Sequence, residues 1–261
     1  MKNYINRIYE TRYFWTHLAK AELKYKFRRS KLGILWTFLN PLLLTALMTI
    51  VFGTVFNMSY TDYAPYILSG LIIWDLLSAS VIGGGSSILG AEAYIRQCNH
   101  PVIIYPLKSA IVNTFSFLLA MNALSIWILF VAPENILLGV ITIPLTGLLY
   151  FFLSWGIVII ASIINTKFRD YPQIMALIMQ ALWYISPVFF RGEMFMSNKH
   201  LEVLFNINPI THILNLVREP FLNGRLPSVM NYGFTIILIL IVWGIAILKI
   251  RKEEKDIIFY L

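Results

Sequence analysis

The sequence predicts an all-α membrane protein. It has six transmembrane helices, an N-terminal amphipathic interface helix, short re-entrant or interfacial helices before the last span, and both termini cytoplasmic. Three observations lead there. The 261 residues are 58% hydrophobic and only 13% charged, with a mean hydropathy of +0.71, whereas soluble domains carry about 25% charged residues. Six apolar segments account for most of the chain, and no stretch remains that reads as a separate soluble domain. The basic residues gather at the ends of those segments, mostly on one side. The division is residues 1–33 as the cytoplasmic interface helix, 34–250 as the six-span bundle and 251–261 as a cytoplasmic tail, all one transmembrane domain.

The first element is basic and amphipathic. On a helical projection Lys20, Lys24, Arg28 and Lys31 share one face, with Trp15, Leu18, Ala19 and Leu23 opposite. Such a helix can lie on a membrane surface, aromatics down and lysines toward anionic headgroups. It runs directly into the first apolar segment, Ile34–Phe56. A span needs about 20 residues, so this segment is long enough to cross. It starts too late and runs too long for a cleaved signal peptide. The others are Tyr63–Gly83, Leu107–Val131, Ile136–Ile164, Ile174–Phe190 and Tyr232–Ile250. The fourth is long and the fifth short, which predicts tilt or bending.

Charge sets the orientation. The N-terminal segment, the two–three and four–five connections and the tail hold seventeen of the 21 lysines and arginines. The remaining four, Arg191, Lys199, Arg218 and Arg225, lie in one long connection. Both termini are therefore predicted to be cytoplasmic, as an even number of spans requires. That long connection, Arg191–Val229, is rich in apolar residues, among them Phe195, Leu201, Val203 and Leu204. Ile210, Ile213, Leu214 and Val217 have helical spacing, with Pro220 and Gly224 as breaks. One or two short helices in the outer interface, or dipping into the membrane, are predicted.

No catalytic constellation is present. The four histidines match no zinc spacing, and there is no GxSxG elbow and no GxxxxGK[ST] loop. The chain is expected to bind no metal and no cofactor, and any ATP must be hydrolysed by another subunit. The single Cys98 excludes an internal disulfide. The basic balance of +8 does not point to nucleic acid, because it clusters at span ends. Gly83–Ser87, GGGSS, lacks the lysine of a phosphate loop and reads as a run that loosens or close-packs the inner end of the second span.

Asp75 is the sharpest single residue. It sits inside the second apolar run, where a carboxylate costs about 2.5–3.5 kcal/mol unless it meets water or a partner. Two readings stay open: a place on an aqueous pathway or subunit seam, or a structural hydrogen bond to Ser78 or another span. Trp74, Trp183 and Tyr184 lie within or near span ends, either lining a glycan path by stacking or packing in the core. Ala91–Leu107, AEAYIRQCNHPVIIYPL, is amphipathic between breaks. It is either a short cytoplasmic helix that docks a motor subunit or a plain connector. Asn165–Pro172 is a smaller connection of the same kind.

Five motifs in order then resemble one family. AELKYKFRRSKLGILWTFLNPLL resembles the entry segment, SGLIIWDLLSAS with SSILG the second span, and YIRQCNHPVIIYPL the cytoplasmic coupling segment of permeases from ABC-type polysaccharide exporters. NTKFRDYPQI with LWYISPVFF resembles their FRD connection and SP ending, and NPITHILNLVREPFLNG their outer helical hairpin. These are the O-antigen, capsule and teichoic-acid export permeases of bacteria. The resemblance implies a homodimer in the cytoplasmic (inner) membrane, enclosing a channel for a lipid-linked polysaccharide. It also implies two copies of a separate ATPase subunit, which carry the ATP and Mg. Tyr94, Ile95, Arg96, His100, Pro101, Tyr105 and Pro106 are the candidate coupling residues. Lys20, Lys24, Arg28 and Lys31 are the candidate interface-helix residues, shared between motor and membrane lipids. Asp75 departs from the family pattern, which more often has an uncharged residue after the tryptophan, and Arg96 is a sparse basic complement for the coupling segment. The alternatives are an ABC permease for a drug, antibiotic or lipid and, in other classes, a membrane transferase or a passive channel.

Overall fold

A computed structural model of the chain describes residues 2–28, 31–191, 205–254 and 256–261. These are mostly helical, with no strand among them. The predicted N-terminal helix is two: α1 (Lys2–Glu10) and α2 (Arg12–Arg28). Thr11 stands between them and donates its hydroxyl to the Arg7 and Ile8 carbonyls at 2.9 and 3.0 Å. Local back-bonding of this kind competes with a continuous helix. Lys31 lies past the end of α2, so it does not share a helical face with Lys20, Lys24 and Arg28. A 3-10 turn over Gly33–Leu35 then feeds α3 (Trp36–Val55). Gly33 has φ +47°, a left-handed conformation that costs side-chain-bearing residues energy.

α4 (Tyr60–Val81) follows, and 3-10 turns over Gly83–Ser86 and Leu89–Ala91 lead into the short α5 (Glu92–Gln97). α6 (Ile104–Val131) and α7 (Pro133–Lys167) are separated by Ala132 alone. Pro133 at the first position of α7 needs no hydrogen-bond partner for a missing N–H. α8 (Tyr171–Ile185), α9 (Pro209–Leu222) and α10 (Val229–Glu253) complete the helices, and a final 3-10 turn spans Ile257–Tyr260. Five helical segments are long and apolar enough to cross a membrane: Gly33–Val55, Tyr60–Ser86, Ile104–Val131, Pro133–Lys167 and Val229–Glu253. The fifth predicted span is different. α8 has 15 residues, about 22 Å of helix against a hydrocarbon core of about 30 Å. The chain then turns through Ser186–Phe189, which are buried.

The core lies where α4, α6, α7 and α9 meet, around Leu68, Ile72, Met121, Leu153, Leu214 and Val217. Thus α9 is packed into the bundle. Its Asn208 cap accepts from the Ile210 N–H at 2.9 Å, and the Tyr150 hydroxyl donates to the Ile213 carbonyl at 2.5 Å. Pro220, expected as a break, lies inside α9. The helix ends two residues later, before Gly224 at φ +61°. Phe195, Lys199, Leu201, Val203 and Leu204 of the predicted outer connection lie outside the described residues.

A second core sits at the end bearing the N-terminal helices. Ile88, Ile95, Ile103, Ile104, Tyr105, Ile159, Ile163 and Ile257 are buried there, with Ile8, Phe14, Trp15 and Leu18 packed against them. Trp15 and Leu18, expected on the membrane-facing side of the helix, are half-buried and pack in part against this core. The glycine run behaves as the sequence implied. A Cβ on Gly84 would meet Val158 Cγ2 at 2.7 Å, and the Asn165 amide donates to the Gly85 carbonyl at 3.0 Å. The turn after α4 therefore lies directly against α7.

Candidate transport path and coupling face

A cavity of about 720 Å³ opens at the basic end, between α2, α3, α4 and α6. Its polar lining includes Lys26, Thr37, Asn40, Asp75, Ser78 and Asn113, with Trp36 and Phe117 among the apolar residues. Asp75 is exposed to this space. Counted back from Val81, it lies about 9 Å up the helix. Among the described residues, Ser78 lines the cavity without bonding Asp75. The carboxylate is thus open to water within a span, the circumstance that lowers the cost of placing it there.

Lys26 faces Asp75 across the cavity. Its ammonium donates to the Ser116 hydroxyl of α6 at 3.0 Å. Desolvation lowers the Lys26 pKa, and the negative charges of Glu22 and Asp75 oppose that shift. One turn earlier Glu22 pairs with Lys108 at 2.7 Å. α2 is therefore fastened to α6 by two polar contacts on the face carrying Glu22 and Lys26. Lys20, Lys24 and Arg28 are exposed.

The aromatic candidates divide. Trp74 is half-buried, packed between two cores. Trp183 and Tyr184 sit at the far end of α8, their rings 5.4 Å apart, and Trp183 also lies 5.0 Å from Phe189. Phe52, Phe56 and Phe190 extend this cluster. Tyr184 is 54% exposed and is the aromatic here with the freest face. The four sequence candidates are not brought together: Asp75 belongs to the basic-end cavity, and Trp183 and Tyr184 to the aromatic cluster at the opposite end.

Arg218 organises that opposite end. Its buried guanidinium donates to the carbonyls of Pro187 (2.6 Å), Val188 (2.8 Å) and Tyr66 (3.1 Å) and to the Ser69 hydroxyl (3.3 Å). It also lies 3.6 Å above the Tyr66 ring. Gly70 makes this possible, because a Cβ there would collide with the Val188 carbonyl. One side chain thereby holds the turn after α8 against α4. A second cavity of about 650 Å³ adjoins it, with Asp62, Glu134, Arg191, Arg218 and Glu219 in its lining.

The coupling candidates also divide. Tyr94 and Arg96 are exposed, and His100 is half-buried. Ile95, Pro101, Tyr105 and Pro106 are buried, and Tyr105 and Pro106 belong to the first turn of α6. Proline is tolerated in a first turn because that N–H has no helical partner. These four residues hold the segment in place, and Tyr94, Arg96 and His100 present it. Phe14 of α2 contacts both the Tyr94 ring (5.8 Å) and the His100 ring (4.6 Å), and Arg7 donates to the Asn99 carbonyl at 3.0 Å. The N-terminal helices and coupling segment are one packed unit.

Sequence reasoning missed Lys26, Asn40, Asn113, Ser116 and Arg218. Glu22 and Lys26 at i, i+4 were a readable pair, and the two asparagines interrupt apolar runs. Nothing local marked Arg218 as the clamp of a distant turn.

The described residues contain no cluster of three or more His, Cys, Asp or Glu able to hold a metal. The described residues form a helical bundle with apolar, membrane-length helices and a polar cavity alongside them, the architecture of an integral membrane domain. The ABC-2 type transporter family profile matches residues 13–222, and the chain belongs to that family. It is 23% identical over 262 residues to the O-antigen export system permease protein RfbA of Myxococcus xanthus, spanning 96% of each chain. It is 25% identical over 245 residues to the RfbA protein of Klebsiella pneumoniae, covering 91% of this chain and 92% of that one. The polysialic acid transport protein KpsM of Escherichia coli is 24% identical over 244 residues, with 90% and 92% covered.

Proposed function

We propose that this chain is the permease of an ATP-driven exporter that moves a lipid-linked, O-antigen-like polysaccharide across the bacterial cytoplasmic membrane. The observation that carries the reading is the end-to-end likeness to export proteins named for O-antigen and for polysialic acid. In this reading α8 is a short sixth span, both termini are cytoplasmic, and two copies enclose the glycan path. Two ATP-binding subunits, holding ATP and Mg, dock on the coupling face.

The packing supports a route for the force. Tyr94, Arg96 and His100 receive the motor's movement. Phe14 passes it to α2, and the Glu22–Lys108 and Lys26–Ser116 contacts pass it to α6. The same movement alters the cavity that holds Asp75, because α2 and α6 form two of its walls. The exposed carboxylate, amides and hydroxyls there suit the hydroxyl groups of a sugar chain.

Complementation tests the reading. A strain lacking its own export permease should regain surface polysaccharide when given this chain with its ATP-binding subunit. Blocking ATP hydrolysis in that subunit should retain the glycan inside. Surface glycan appearing without the ATP-binding subunit would overturn the proposal in favour of a passive channel.

A further inference from the structure

Residues 256–261 do something no span requires. After α10 the chain turns back beneath the coupling segment. Ile257 is only 1% exposed and packs in the same core as Ile88, Ile95, Ile103 and Tyr105. Glu254 accepts from the Val102 N–H at 3.4 Å. Arg169, in the connection between α7 and α8, donates to the Tyr260 carbonyl at 3.1 Å, and the Lys167 ammonium lies 4.9 Å above the Tyr260 ring. The tail thus ties together the coupling segment, the FRD connection and the end of the last span.

Having been fastened, the tail exposes apolar surface. Phe259 is 85% exposed, and Ile258 and Tyr260 are about half exposed. Tyr94 of the coupling segment and Phe168 of the FRD connection are also exposed. α10 has already passed its terminal basic residues Arg251 and Lys252, which mark headgroup level, before the tail begins. Contiguous apolar residues beyond that level face water unless a protein covers them, and such patches mark interaction sites.

We propose that residues 257–260 are a second docking element for the ATP-binding subunit, continuous with the coupling segment. Ile257 is the fastener, and Ile258, Phe259 and Tyr260 are the contact. The occupant is an apolar pocket on that subunit, rimmed by carboxylates that complement the exposed Arg169, Arg251 and Lys252. The core that Ile257 shares with Ile95 and the Glu254–Val102 hydrogen bond put the tail beside the coupling segment, which argues for this partner. The inference rests on the function proposed above and deepens it.

The test uses the intact permease co-expressed with its ATP-binding subunit. In the double variant Ile258→Ser, Phe259→Ser, the permease should reach the membrane at its normal level, and the captured ATP-binding subunit should fall by about tenfold, as loss of an aromatic anchor does. Unchanged capture overturns the inference. Should the double variant not accumulate, a photo-cross-linking residue at Phe259 in an otherwise native chain decides: a cross-link to the ATP-binding subunit supports it, and cross-links only to lipid, or none, overturn it. An intact permease that captures no ATP-binding subunit would overturn the proposed function itself, an outcome distinct from the failure of the tail alone.

Discussion

The Lys26 ammonium donates to the Ser116 hydroxyl at 3.0 Å, in the wall of the cavity onto which Asp75 opens. This contact joins an amphipathic helix outside the bundle to a membrane-spanning helix, beside a carboxylate placed within another span.

Replacing Asp75 with Asn should leave the complex assembled and lower export. The carboxylate opens onto the cavity, so its replacement by the isosteric amide leaves the packing of α4 unchanged. Surface glycan should fall while co-purification with the ATP-binding subunit stays normal. Loss of the assembled complex would assign Asp75 to structure instead.

Lys26 should lose its proton at lower pH than an ordinary lysine side chain. Desolvation lowers its pKa, and the carboxylates of Glu22 and Asp75 only partly restore it. Deprotonation favours the amine that attacks acylating reagents, so labelling of Lys26 should set in below the pH expected of an ordinary lysine. Asp75→Asn removes one of the restoring charges and should shift that labelling to still lower pH. Mass spectrometry of labelled peptides measures both shifts, and a shift upward in Asp75→Asn would contradict the placement of the two charges.

Two neighbouring glycines should respond oppositely to substitution. A Cβ on Gly84 meets Val158 Cγ2 at 2.7 Å, whereas one on Gly83 meets nothing within 4 Å. Gly84→Val should lower stability by about 1–3 kcal/mol through overpacking, and Gly83→Ala should be neutral. Thermal unfolding of the purified protein separates them.

Arg218→Met should destabilise the fold by about 3 kcal/mol or more, because it leaves buried carbonyls at Pro187 and Val188 without their charged donor. Arg218→Lys should recover only part of this, since a single ammonium cannot reproduce the planar fork. Unfolding midpoints give the order native, then Lys, then Met.

Cysteines placed singly at Arg225 and at Tyr94 should label from opposite sides of the membrane. Positive charge assigns Tyr94 to the cytoplasm and the connection containing Arg225 to the outside. Labelling of both from the same side would refute the orientation.

Much of the bundle was legible because a bilayer imposes length and composition on every span. Five of the six apolar segments became helices of sufficient length, with ends displaced by a few residues where capping and prolines intervened. The fifth segment was less readable: its apolar run ended in a turn whose residues Ser186–Phe189 are buried, so hydropathy counted turn residues as helix. The candidate site was legible only in part. Asp75 announced itself by its cost in an apolar run, but its companions Lys26, Asn40 and Asn113 come from three other elements.

By itself the sequence determined the class of the protein, the one-sided clustering of its basic residues and the lack of a phosphate loop, because each depends on composition or local spacing. Only the tertiary structure decided that Asp75 opens onto a cavity, that Phe14 meets Tyr94 and His100 of the coupling segment, and that Ile257 folds back into the core that holds Ile95. These depend on which helices become neighbours. Apolar residues have several ways to leave water, and the partner chosen is settled by the packing of distant segments.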